Sequence, residues 1–161
     1  MNTVAIHESS IVPRRVQFRH LLLPIDGSEL SLKAFGKGLE LAKAFGAKVL
    51  ILHAVPPFNS VAFVSEILAA AELNFSQHAL ASASRYLDEA KALAVEAGVP
   101  CECHYAFGEQ PHNAILEAAR EHRCDLIVMA THGWRGMDRL MLGSEAQKVI
   151  LDSTIPVLVC R

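Results

Sequence analysis

Five short apolar runs alternate along this chain with four stretches of helical period, and few folds accept that order. The runs are 18–25, with Leu21-Leu22-Leu23 at its heart, then 48–55, 101–106, 126–130 and 155–161. Each is too short for a core helix; four are rich in Leu, Val and Ile, as expected of parallel strands buried on both faces, while 101–106 has a mixed face that suggests a sheet edge. Strands that alternate with helices require right-handed crossovers and a parallel sheet covered on both sides. The expectation is an α/β doubly wound sheet of five parallel strands in the order 3-2-1-4-5. Strands one and four then flank the point where the winding reverses.

The helices carry their own punctuation. Asp26 and Ser28 are both N-cap candidates for the first, whose stripe is Leu30, Ala34, Gly38, Leu41, Ala42 and Phe45, with Gly46 as its stop. A long second helix runs over 65–97. Leu73, Leu80, Leu87 and Ala94 recur at seven, with Ala83, Ala90 and Ala97 between them, so one seam faces a neighbour. Pro111 suits the first position of the third helix, with Ile115, Leu116 and Ala119 inside. Ser144-x-x-Gln147 reads as a capping box for the fourth, with Ala146, Val149 and Ile150 inside.

Doubly wound sheets bind ligands beyond the carboxyl ends of their strands, where the winding reverses. Two segments meet there. Asp26 follows strand one, and it can serve as a plain helix cap or reach a ribose or a metal ion. Strand four opens into a glycine loop with Gly133, Gly136 and Gly143-Ser144, and Arg135 and Arg139 supply positive charge. Glycine lets the backbone approach an oxyanion, and the first N–H groups of a helix lack internal partners. Turn glycines plus a helix cap would give the same spacing. It is the convergence of the two segments on one crevice that favours a phosphate-bearing ligand.

The loop resembles the nucleotide loop of the universal stress protein family, whose ATP-binding pattern is Gly, two residues, Gly, nine residues, Gly, then Ser or Thr. Gly133, Gly143 and Ser144 match it, and Ala130 stands where the family has its first glycine. Pro24-Ile25-Asp26 is similar to the family's first nucleotide segment, and Ala54 falls where the backbone reads the adenine edge. The resemblance implies an adenine-nucleotide alpha-hydrolase-like fold. It also implies an ATP site made by Pro24, Ile25, Asp26, Ala54, Ala130, Thr131, His132, Gly133, Arg135, Gly136, Gly143, Ser144 and Glu145. Mg²⁺ would arrive with the phosphates, held mainly by phosphate oxygens and waters, with Asp26 as a candidate ligand. Pro156-Val157-Leu158-Val159 looks like the family's dimerising terminal strand, which implies a homodimer.

Composition removes other classes. At 161 residues and 52% apolar content the chain can bury a proper core. A net charge of −2 with no basic stripe argues against nucleic acid as a partner. No apolar run approaches the roughly 18 residues of a membrane span. Residues 1–17 are polar and read as a loose leader ahead of one domain at 18–161, and the cytoplasm is the expected compartment. Cys101, Cys103, Cys124 and Cys160 read as small hydrophobes in or beside strands, since Cys101-x-Cys103-His104 lacks a second ligand pair for zinc. His53, within an apolar strand, reads as a hydrogen-bonded core residue. Trp134, inside the loop, fits a lid, a partner contact or a packed aromatic equally.

Three functions stay open: a nucleotide-binding stress-response or signalling dimer, a slow ATPase or phosphotransferase in the same pocket using His132 and Arg135, and a dimeric interaction module without nucleotide. No Walker lysine and no dedicated base accompany the loop, so binding leads turnover.

Overall fold

The computed structural model describes residues 17–55, 65–107, 110–132 and 142–161. The elements run β1 (His20–Ile25), α1 (Glu29–Phe45), β2 (Lys48–Val55), α2 (Ser65–Glu96), β3 (Cys101–Phe107), α3 (Pro111–Glu121), β4 (Leu126–Ala130), α4 (Ser144–Asp152) and β5 (Val157–Cys160). The sheet has five parallel strands in the order β3-β2-β1-β4-β5. This is the predicted order, and the reversal lies between β1 and β4.

Strand periodicity divides the core into two layers. Leu21, Leu23 and Ile25 of β1 point to one face with Val49 and Ile51 of β2, under Phe35, Leu39 and Ala42 of α1 and Leu87, Ala90 and Ala94 of α2. Leu22, Leu50 and Leu52 point the other way, under Ile115, Ala118 and Ala119 of α3 and Ala146 and Val149 of α4. Full burial of each large aliphatic side chain contributes about 1.5–3 kcal/mol, so the central strands carry most of the cohesion.

Several sequence expectations shift. The first strand begins at His20 and not at residue 18, because the N–H groups of Arg19 and His20 donate to the Asp125 carboxylate at 2.8 and 3.1 Å. Phe18 instead sets its ring edge-on to Phe45, 5.4 Å between centroids. In α1, Phe35 and Leu39 are buried and were absent from the expected stripe. Leu80 lies 37% exposed despite its place in the heptad seam. Among the described seam residues, Ala83, Leu87, Ala90 and Ala94 are buried. Ile150 is 41% exposed, so α4 buries only Ala146 and Val149.

β5 is the second edge strand, pairing with β4 alone. It covers four residues, not the seven expected. Ile155 is held in the preceding turn by Ser153, whose Oγ donates to the Ile155 carbonyl at 2.7 Å. Pro156 is exposed, Val157 and Val159 are half-buried, and Leu158 is 40% exposed.

Candidate functional site: a crevice at the sheet reversal

The register pairs Leu22 with Ile127, and three residues further on Ile25 would stand against Ala130. At these carboxyl ends the chain leaves in opposite directions, β1 into α1 on one face and β4 toward α4 on the other. In doubly wound sheets such a parting is where a ligand crevice forms.

On the β1 side, Pro24 and Ile25 close the strand and Asp26 enters the turn, half-buried. Asp26 Oδ1 accepts from the Ser28 N–H at 2.9 Å, and the Asp26 N–H donates to Ser31 Oγ at 3.3 Å. Ser28, not Asp26, is the N-cap of α1, accepting from the Ser31 N–H at 3.2 Å. Asp26 therefore shapes the turn from the strand's carboxyl end and leaves the capping to Ser28. Gly27 between them has φ 81°, a left-handed conformation that suits glycine. His53, 8% exposed, contributes Nδ1 to the Ile25 carbonyl at 2.9 Å. A carbonyl only accepts, so Nδ1 is the protonated nitrogen. The core-histidine reading holds. Ala54, next along β2, is half-buried.

On the β4 side every residue of the strand is buried, Ala130 included. Thr131, 8% exposed, is a backbone junction. Its N–H donates to the Cys160 carbonyl at the end of β5, and its carbonyl accepts from the Gly143 N–H, each at 2.9 Å. The base of the loop is thus tied to the edge strand and to the start of α4. A β-carbon at Gly143 would stand 2.8 Å from the Thr131 carbonyl oxygen, so glycine is needed there for closeness, since its φ of −61° is ordinary. His132 is half-buried beside it. Gly133, Arg135 and Gly136, with Trp134 and Arg139, lie outside the described residues.

The capping box is not formed. Gly143 is the N-cap and Ser144 the first helical residue, with no side-chain cap on α4. Gln147 is drawn off, its Nε2 donating to the Leu142 carbonyl at 2.8 Å. The first turn of α4 therefore keeps N–H groups that no described side chain caps, at the positive end of the helix dipole.

Glu145 has a second occupation that the sequence did not reveal. Its Oε2 accepts from the His112 N–H at 3.0 Å and lies 2.9 Å from His112 Nδ1, while Lys148 Nζ approaches Oε1 at 3.2 Å. These hydrogen bonds outweigh partial burial and hold its carboxyl below the usual range. Helix α3 has no cap from its own Gln110 and no acid in its first turn. Glu145 supplies both from α4 and joins the two helix N-termini at the same end of the sheet. No local motif signals a pair 33 residues apart.

The remaining expectations divide. Cys124 is buried and its thiol is pushed up to about 12, by burial first and then by Asp125. Cys103 is exposed, unlike the small buried residue expected, although its Sγ lies 3.8 Å from the Leu87 carbonyl. Among the described residues no group of three His, Cys, Asp or Glu side chains could hold a metal ion. No described helix is long and apolar enough to cross a membrane.

Known proteins share this plan. The description "Universal stress protein family" belongs to the family that residues 17–161 match. A Thermus aquaticus relative, the universal stress protein in the QAH/OAS sulfhydrylase 3' region, is 36% identical over 147 residues, covering 89% of this chain and 99% of its own. The structure of universal stress protein UspA from Lactobacillus plantarum aligns with a TM-score of 0.80 at 21% identity, over 91% of this chain and 99% of that one. A universal stress protein solved in complex with cAMP aligns with a TM-score of 0.67 at 26% identity, over 91% and 98%. With its sheet order and a match across nearly its whole length, this chain belongs to the universal stress protein family.

Proposed function

We propose that the protein binds an adenine nucleotide, ATP, in the crevice between β1 and β4, and acts as a nucleotide-switched homodimer in stress response or signalling. The observation that carries the reading is the close approach of Gly143 to Thr131 at the uncapped start of α4. A helix of 9 residues begins there with N–H groups that no described side chain caps, where phosphate oxygens can approach the backbone. Pro24, Ile25 and Asp26 form the opposite wall, with Ala54 at the adenine end. Ala130, Thr131, His132 and Ser144 belong to the loop side, and the sequence pattern adds Gly133, Arg135 and Gly136, which lie outside the described residues. Glu145 contributes its backbone, since its carboxylate is held by His112. The relative solved with cAMP supports an adenine nucleotide here. Mg²⁺ would accompany the phosphates, with Asp26 a candidate carboxylate ligand.

The dimer forms through Pro156, Val157, Leu158 and Val159. β5 is a short edge strand with a 40% exposed leucine, and a second copy of the same strand covers both the open backbone and that side chain. Thr131 gives nucleotide and dimer a common joint, because it is bonded to β5 on one side and to α4 on the other. The unit is residues 18–161, with 1–17 as a leader, acting in the cytoplasm.

Equilibrium dialysis with ATP and Mg²⁺ tests the site. Binding is expected in the wild type and lost in a Gly133→Glu, Gly143→Glu double mutant; no binding at millimolar ATP defeats the reading. Sedimentation of Leu158→Arg tests the dimer, with a shift to monomer expected.

A further inference from the structure

We propose that Tyr86 of α2 is a positioning residue of the nucleotide site, its ring clamping the β1–α1 turn that carries Asp26. The inference rests on the nucleotide reading above and adds a helix to the site that neither the glycine pattern nor the strand ends include. A β-carbon placed on Gly27 would lie 2.5 Å from both Cε1 and Cζ of Tyr86 and 3.0 Å from Cδ1. The ring edge therefore rests directly on the Gly27 backbone, and it does so where φ is 81°.

The same ring lies 5.5 Å from the His53 ring, centroid to centroid, and the Arg85 guanidinium stands 5.1 Å from its centroid. His53 in turn holds the Ile25 carbonyl. Three consecutive residues are fixed by three different groups: Ile25 by His53, Asp26 by the Ser28 N–H, and Gly27 by Tyr86. Glycine resists displacement least of the three, because both signs of φ are open to it. Removing the ring frees the peptide that follows Asp26, and a carboxylate that must meet a ribose or Mg²⁺ loses its aim. Aromatic bulk performs this role, and the phenol hydroxyl is not required.

Equilibrium dialysis with ATP and Mg²⁺ on wild type, Tyr86→Phe and Tyr86→Ala tests the clamp, with melting temperatures recorded alongside. Phe is expected to bind within about twofold of wild type and Ala about tenfold more weakly, as for a contact whose loss is felt by its neighbours. Equal binding by Ala and wild type overturns the proposal. So does a loss in Phe as large as in Ala, which would make the hydroxyl a direct contact. A ligand-free cycle keeps the clamp separate from the nucleotide reading: if wild type binds no ATP, that reading fails while the cycle still decides the clamp. Gly27→Ala is expected to lower the melting temperature more in wild type than in Tyr86→Ala, where the overlap at 2.5 Å is gone. An equal drop in both overturns it.

Discussion

Glu145 on α4 caps α3 across 33 residues of sequence, its carboxylate accepting from the His112 N–H at 3.0 Å and meeting His112 Nδ1 at 2.9 Å. One acid thereby serves two helix N-termini, lying in the first turn of its own helix and closing an open donor of the next. Glu145→Ala is expected to destabilise the fold by about 1–2 kcal/mol, the range for a lost N-cap. Glu145→Gln, which keeps an acceptor and loses the charge, should lose less. Urea denaturation of both variants measures the difference, and it should shrink in a His112→Pro background, where the donor N–H and the imidazole are gone and the Lys148 contact remains.

Gly143→Ala separates closeness from conformation. With φ at −61° alanine meets no backbone strain, so the cost comes from the oxygen of Thr131 at 2.8 Å. A loss of about 1–3 kcal/mol is expected, typical of overpacking. Chemical denaturation checks it, with Ser144→Ala as a control that changes stability little, since the Ser144 side chain does not cap α4.

Arg123 adopts φ 54°, the only positive value at a non-glycine position among the described residues. It closes α3 in a Schellman turn: the Arg123 N–H donates to the Arg120 carbonyl at 3.2 Å and the Cys124 N–H to the Ala119 carbonyl at 2.8 Å. That place favours glycine, and left-handed backbone costs another residue about 1–2 kcal/mol. Arg123→Gly should therefore raise the midpoint of thermal unfolding, a gain reduced by the extra freedom glycine brings to the unfolded chain.

Stability should fall with acid in two stages. His20 is 6% exposed, its Nδ1 bonded to the His122 carbonyl and its Nε2 buried without a protein partner. Burial, followed by Lys48, lowers its pKa from 6.5. The unfolded chain therefore takes up the proton first, and stability is lost as pH drops below about 6.5. Glu145 has a folded pKa lowered from 4.5, so its contribution is present above that value and lost as pH falls through the lower folded one. Unfolding free energies between pH 7 and pH 3 should show both limbs. His20→Leu should flatten the first and Glu145→Gln the second.

The sequence announced whatever depended on period and punctuation. Leu21-Leu22-Leu23 and 126–130 read as buried strands because nothing polar interrupts them, and Gly46 read as a helix stop and takes φ 65° there. That the residues after β1 and the residues after β4 leave neighbouring strands at one end of the sheet followed from strand order alone. What escaped depends on distance in space. Leu80 obeys the heptad yet stays 37% exposed, because periodicity places a residue on a helix face and carries no record of what lies beneath it. The Ser144-Gln147 box satisfied a local rule and lost to a carbonyl at Leu142. His112 and Tyr86 carry no motif at all; each matters only through a residue brought to it by the fold.

Thr131 makes both of its described ties through the peptide group, one through its N–H and one through its carbonyl. An alanine or serine at position 131 would consequently leave both ties intact, and any survey built on side-chain replacement would pass over the joint between loop and edge strand. Only exchanges that alter the main chain itself, such as proline or an ester in place of the amide, can make that joint visible.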